Sequence, residues 1–115
     1  MIVLHGLKAC DSCRKALKTL AVGEIPARLR DLREEPPTQA ELVGWLARLG
    51  PAMLNTRSTT WRGLTEAERA TDPLALMLAH PALIKRPVVE TPSGLYLSWT
   101  AEAQSAAGLG NSGAG

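Results

Sequence analysis

Three hydrophobic patterns follow one another in the first 32 residues, and their order narrows the possible folds more than any other feature of the chain. Ile2, Val3 and Leu4 form an apolar run closed by Gly6, as expected of a short buried strand. From Cys10 onward the period changes. Ala16, Leu17 and Leu20 share one helical face, Arg14, Lys15 and Lys18 take the other, and Gly23 stands where a helix stops. Ile25, Ala27 and Leu29 then alternate with Arg28 and Arg30, which suits a half-exposed strand with both arginines toward water. The segment reads as a β-α-β unit, and the only two cysteines of the chain, Cys10 and Cys13, lie where its first strand meets its helix.

The middle of the chain reads as helical. Thr38 with Glu41 and Thr65 with Glu68 have the T-x-x-E spacing of a capping box, and Leu42, Val43, Leu46 and Leu49 recur at helical spacing until Gly50-Pro51. Asp72 is expected to cap a further helix with Pro73 in its first turn, running through "LALMLAH" and ending at His80 before Pro81. "LNTRSTTWRGL" between these helices is polar, a loop or a short helix. The last third returns to strand: "KRPVVETPSGLYLSW" is a β-hairpin with its turn at Thr91-Pro92-Ser93-Gly94. Residues 104–115 carry no charge and four glycines, and a disordered tail is expected there. The order as a whole predicts one α/β domain over 1–103, a thioredoxin-like (glutaredoxin-like) β-α-β…β-β-α core with a helical insertion at about 38–80.

Composition decides which chemistry these cysteines can serve. The chain has 115 residues, 45% of them apolar and 21% charged, as in a soluble domain, and no run of eighteen uncharged apolar residues that would cross a bilayer. The opening "MIVLHGLKAC" lacks a basic leader with a cleavage site, so a cytoplasmic location is expected; separately, a monomer is expected. In a reducing compartment, cysteines three positions apart point to catalysis, redox sensing or metal binding before a structural staple. The net charge of +2, without a dense basic face, gives no argument for direct nucleic-acid binding.

A thiol attacks only as its anion. Cys10 lies just ahead of a helix whose free N–H groups favour negative charge, with Lys8 and Arg14 close in sequence, and Cys13 one turn on is within reach to resolve a mixed disulfide. The bland alternative is a pair of half-buried structural cysteines. Zinc would need two further ligands, and only His5 and His80 are available, without a second paired motif. No metal or bound cofactor is therefore expected. Arg86 precedes Pro87 at the entry to the third strand, beside the cysteine loop in a thioredoxin-like fold, and Arg57 sits in the polar segment. Either could hold an oxyanion or a carboxylate by forked hydrogen bonds. Trp61 and Trp99 are expected to pack, since aromatic residues are otherwise scarce.

Three segments, "LHGLKACDSCRKAL", "LNTRSTTWRGL" and "HPALIKRPVVETPSG", resemble in order and spacing the ArsC/Spx family, which comprises glutaredoxin-coupled arsenate reductases, YffB-like proteins and Spx regulators. The likeness runs from Met1 to about Trp99, and the second segment looks most like the YffB-like branch. The resemblance implies Cys10 as the reactive cysteine and Arg57 and Arg86 as oxyanion-binding arginines. Lys8 is added as a third candidate cation. It further implies glutathione, with glutaredoxin, as reductant, and an oxyanion or oxidised thiol as substrate. The arsenate reductases carry a third arginine where this chain has Trp99. Losing one charge-assisted donor costs roughly 1.5–3 kcal/mol of anion binding, one to two decades of affinity. The Spx regulators imply a different use of the same residues, a Cys10–Cys13 disulfide switch on a surface that binds the RNA polymerase α subunit.

Overall fold

The computed structural model describes residues 1–109. In chain order the elements are β1 (Ile2–Gly6), α1 (Asp11–Val22), β2 (Ala27–Asp31), α2 (Gln39–Leu49), α3 (Thr59–Arg62), α4 (Glu66–Arg69), α5 (Pro73–Ala79), β3 (Val88–Thr91), β4 (Gly94–Leu97) and α6 (Ala101–Ala106), with short 3-10 turns at Pro51–Met53 and Pro81–Leu83. They divide into two compact units, Met1–Leu32 with the chain from Arg86 onward, and Arg33–Lys85. The helical segment at about 38–80 falls inside the second of these units.

In the first unit the four strands form one sheet in the order β2-β1-β3-β4. β1 runs parallel to β2 and antiparallel to β3, and β3 and β4 make the expected hairpin. This is the thioredoxin-like arrangement. The Thr91 hydroxyl shapes the hairpin turn by accepting from the N–H groups of Ser93 and Gly94, at 3.1 Å each. One face of the sheet carries the core: Ile2 and Leu4 of β1 and Val89 of β3 meet Ala16 and Leu20 of α1 and Ala103 and Ala107 at the C-terminal end. Trp99 packs against this cluster.

Two expectations need correction here. The segment from residue 104 does not begin as a tail: Thr100 caps α6 by accepting from the N–H of Ala103 at 3.1 Å, and buried Ala103 and Ala107 let the helix lie close to the sheet. Residues 110–115 of that expectation lie outside the described residues. Arg30 does not point to water either. Alternation puts it on the sheet face opposite the core, but there its guanidinium Nη1 lies 3.3 Å from His5 Nδ1, and both side chains are buried. The other ring nitrogen of His5, Nε2, lies 2.9 Å from Glu90 Oε1, so three adjacent strands share one polar chain on that face.

In the second unit the two capping boxes form as the T-x-x-E spacing predicts. Thr38 and Thr65 accept from the N–H of Glu41 and Glu68, whose carboxylates accept in return. Each such cap typically stabilises a helix start by ~1 kcal/mol. Asp72 occupies the cap position of α5 but makes no side-chain capping bond, and Pro73 supplies the first-turn constraint. α2 packs on α5 and buries Leu42 and Trp45, while Val43 is left exposed, so Trp45 takes the inward position that the leucine pattern had assigned to Val43. "LNTRSTTWRGL" resolves into a turn at Asn55 and the short α3, capped by Ser58. Trp61 sits there under the Arg69 guanidinium, 5.6 Å from its ring centre, rather than in the core.

Candidate active site

The loop between β1 and α1 is held at both ends. The N–H of Lys8 donates to Asp31 Oδ2 at 2.9 Å, the N–H of Cys10 donates to the Leu7 carbonyl at 3.0 Å, and that of Leu32 donates to the Gly6 carbonyl at 2.8 Å. These bonds leave Cys10 as the N-cap residue of α1, half-buried, with extended backbone. Cys13 follows on the inward face of the first turn and is fully buried. Gly6 makes room for it: a β-carbon on residue 6 would stand 2.3 Å from Cys13 Sγ, so that one of the two would have to shift.

Cys10 makes no side-chain capping bond of ordinary geometry. Its ionisation is set by its burial and by its neighbours Cys13 and Arg86. Burial pushes the Cys10 thiol up. The backbone N–H of Cys13, the Cys13 thiol, and the guanidinium bond and charge of Arg86 together outweigh it, and the thiol ionises below its ordinary value. Cys13 goes the other way. Its burial, reinforced by the neighbouring Cys10 sulfur, outweighs help from the Leu7 backbone and Arg86 and pushes its thiol up to about 12. Both cysteines are free thiols.

Arg86 reaches Cys10 from the other side of the fold. It precedes Pro87, which is fully buried at the start of β3, and the Arg86–Pro87 peptide is cis. Arg14, nearer in sequence, pairs with Asp11 one turn along α1. The first unit therefore brings together Cys10, Cys13 and Arg86. Lys8 lies exposed on the same loop. Arg57 belongs to the second unit, where it lines a pocket of about 250 Å³ with Lys85 and the Leu54–Thr56 segment. The Leu54↔Ile84 bridge, together with the bond from the N–H of Lys85 to the Met53 carbonyl at 2.7 Å, holds those two stretches side by side. Among the described residues no three His, Cys, Asp or Glu side chains gather in a metal-binding group.

Residues 5–106 match the model of the ArsC family. The chain belongs to the ArsC family. Among its ArsC-family relatives, the arsenate reductase of Escherichia coli (strain K12) is 33% identical over 102 residues, covering 84% of this chain and 72% of that protein. The global transcriptional regulator Spx of Bacillus subtilis (strain 168) is 30% identical over 95 residues, covering 77% and 72%. The solved structure of the YFFB protein superposes with a TM-score of 0.85 at 34% identity, covering 93% of this chain and 98% of that one. All three branches that the sequence motifs resemble are thus represented in this ArsC-family chain's surroundings.

Two features of the ArsC-family site escaped sequence reasoning. Gly6 reads as a strand terminator, yet its role is to admit the Cys13 sulfur, and only the close approach of strand and helix makes that visible. Trp99 reads as a packing residue, and does pack, but it also lines a groove that starts at Arg86. An arginine-to-tryptophan departure at that position was the available signal.

Proposed function

We propose that this ArsC-family protein is a glutathione-dependent thiol reductase in which Cys10 is the nucleophile and Arg86 and Lys8 attract the anionic parts of its substrates. The observation that carries the reading is the placement of the two cysteines, Cys10 half-buried at the N-cap of α1 and Cys13 fully buried one turn on. Cys10 is favoured as thiolate by Cys13 and Arg86, while Cys13 is held protonated. The substrate is a mixed disulfide of glutathione with another thiol. The Cys10 thiolate attacks the glutathione sulfur, a Cys10–S–S–glutathione bond forms, and the other thiolate leaves with the electron pair of the broken S–S bond. A second glutathione thiolate then attacks the glutathione sulfur of the adduct, Cys10 departs as thiolate, and oxidised glutathione is released. A buried thiol pushed up to about 12 is a poor attacking group, which supports glutathione or glutaredoxin over Cys13 as the resolving thiol.

Arsenate is the second substrate class. The likeness to the E. coli enzyme supports it, and Trp99 at the third arginine position counts against it. A coupled assay with glutathione, glutaredoxin, glutathione reductase and NADPH separates the cases. NADPH loss that depends on Cys10 with a glutathione mixed disulfide supports the reductase, and arsenate-dependent loss adds that substrate. Loss that persists in Cys10→Ser removes Cys10 from the mechanism.

The likeness to Spx supports a second reading, in which a Cys10–Cys13 disulfide alters a surface that binds the RNA polymerase α subunit. Binding of that subunit's C-terminal domain that responds to oxidation would favour the switch. Absence of binding at high micromolar concentration would favour the enzyme.

A further inference from the structure

Charge is not spread evenly over the chain. The second unit balances six basic against six acidic residues, so the net charge of +2 belongs to the first, which has seven against five. Within the first unit the surplus lies on α1. Its periodicity turns Cys13, Ala16 and Leu20 inward and leaves Asp11, Arg14, Lys15 and Lys18 exposed on the outer face. Asp11 is taken by Arg14, one turn on, whereas Lys15 and Lys18 form no ion pair among the described residues. A second observation extends the same face. Val22, one turn beyond Lys18, is 77% exposed. Cations ending on a bare apolar side chain suit a protein partner better than a nucleic acid, which gains from a long row of phosphate contacts and has nothing on its backbone for a valine to meet.

We propose that the outer face of α1 docks an acidic segment of a partner protein, and that the thiol released from the glutathione mixed disulfide belongs to that protein. This rests on the Cys10 reductase reading and names the other half of its substrate. The face is too long for a small thiol. At 1.5 Å per residue, Lys18 lies roughly 12 Å and Val22 roughly 18 Å beyond Cys10 along the helix. A tripeptide spans at most about 10 Å when fully extended, so one joined to Cys10 stops short of both. A longer chain reaches them, with carboxylates facing Lys15 and Lys18 and an apolar side chain on Val22. The bond changes are those of the exchange already described: the Cys10 thiolate bonds to the glutathione sulfur, and the docked protein leaves as a thiolate with the electron pair of the broken disulfide. Because these cations are exposed, they act chiefly on the rate of encounter, and salt weakens them.

The test uses two peptides of one length, each with a single cysteine held as its glutathione mixed disulfide. One carries glutamates about four residues from that cysteine and the other carries lysines there. Release of the peptide thiol is followed with the native protein, Lys18→Glu and Lys18→Arg, and the uncharged bis(2-hydroxyethyl) disulfide serves as control. At low ionic strength the native protein and Lys18→Arg are expected to release the acidic peptide about tenfold faster than the basic one, a preference that falls to about twofold in roughly 0.5 M salt. Lys18→Glu should lose most of that preference and still match the native rate with the control within about twofold. Equal native rates for the two peptides, an unchanged preference in Lys18→Glu, or a loss in Lys18→Glu that is equal with the control overturns the docking face and leaves the Cys10 reading intact. A DNA duplex that suppresses release at lower concentration than a cysteine-free acidic peptide assigns the face to nucleic acid and overturns it as well. A native protein that reacts with neither peptide nor the control overturns both readings.

Discussion

Cys10 and Cys13 stand one turn apart at the start of α1, Cys10 half-buried and Cys13 fully buried, and the two thiols ionise in opposite directions. The cause is local. Cys10 caps α1 at its half-exposed end, whereas Cys13, three residues on, falls on the face that α1 buries. One turn of helix thus turns two identical residues into an acceptor and a donor, and the bonds that hold the Leu7–Cys10 loop keep them so.

Arg86 is the cation that acts on Cys10, so its removal should be felt in reactivity before stability. Arg86→Ala is expected to slow alkylation of Cys10 by iodoacetamide at pH 7 by roughly one decade, the scale of one charge-assisted hydrogen bond. Its pH–rate profile should move to higher pH, and Arg86→Lys should recover part of the loss. Alkylation by Arg86→Ala at the native rate and with the native profile would show that the helix N-terminus and Cys13 suffice.

Cys13 serves in this account as a hydrogen-bond donor and not as an obligatory second thiol. Cys13→Ser keeps a donor of similar size and should retain glutathione-dependent turnover within about threefold, whereas Cys13→Ala should lose more by leaving the Cys10 anion less supported. Turnover abolished equally in both variants would make the Cys10–Cys13 disulfide an obligatory intermediate.

Much of this was legible in the chain because it depends on local periodicity. The strand–helix–strand opening, the two capping boxes and the Thr91–Gly94 turn each follow from residues within a few positions of one another. Arg86 beside Cys10 came from the order of elements combined with the proline that opens β3. What the pattern could not show were long-range approaches. Arg30 alternates as if solvated, but His5 from the adjacent strand holds it against the sheet. The uncharged sequence after Thr100 looked like a tail because its small residues carry no amphipathic signal, yet small size is what lets Ala103 and Ala107 lie against the core. Ser98 offers no sign in sequence of its left-handed backbone, and so the groove beside it was not foreseen.

Gly6 offers a check on the packing beneath the site. Gly6→Ala would place a methyl group on the Cys13 sulfur and should destabilise the fold by about 1–3 kcal/mol, the usual cost of overpacking. Combining it with Cys13→Ala clears the sulfur, and the double variant should lose less than the sum of the two single changes in chemical denaturation. Additive losses would mean that the two residues do not meet.

The opposed thiols also fix the sign of the pH dependence. Between the lowered Cys10 value and the ordinary 9.0, the unfolded chain holds the proton that folded Cys10 has lost, so this group makes stability rise with pH. From 9.0 to about 12 the folded chain holds the Cys13 proton that the unfolded chain loses, so stability falls as pH rises. Thermal unfolding of the native protein should therefore shift down above pH 9 by more than that of Cys13→Ala. Parallel curves for the two proteins from pH 8 to 11 would remove the assigned role of Cys13.

The central claim is that Cys10 is an anion at neutral pH because Cys13 and Arg86 support it. The most direct measurement is thiolate absorbance near 240 nm followed against pH in the native protein and in Cys10→Ser. The account predicts one thiol ionising below the ordinary cysteine value in the native protein, absent in Cys10→Ser, and a second that ionises only in strong alkali. Two native thiols that both ionise at or above the ordinary value would contradict it.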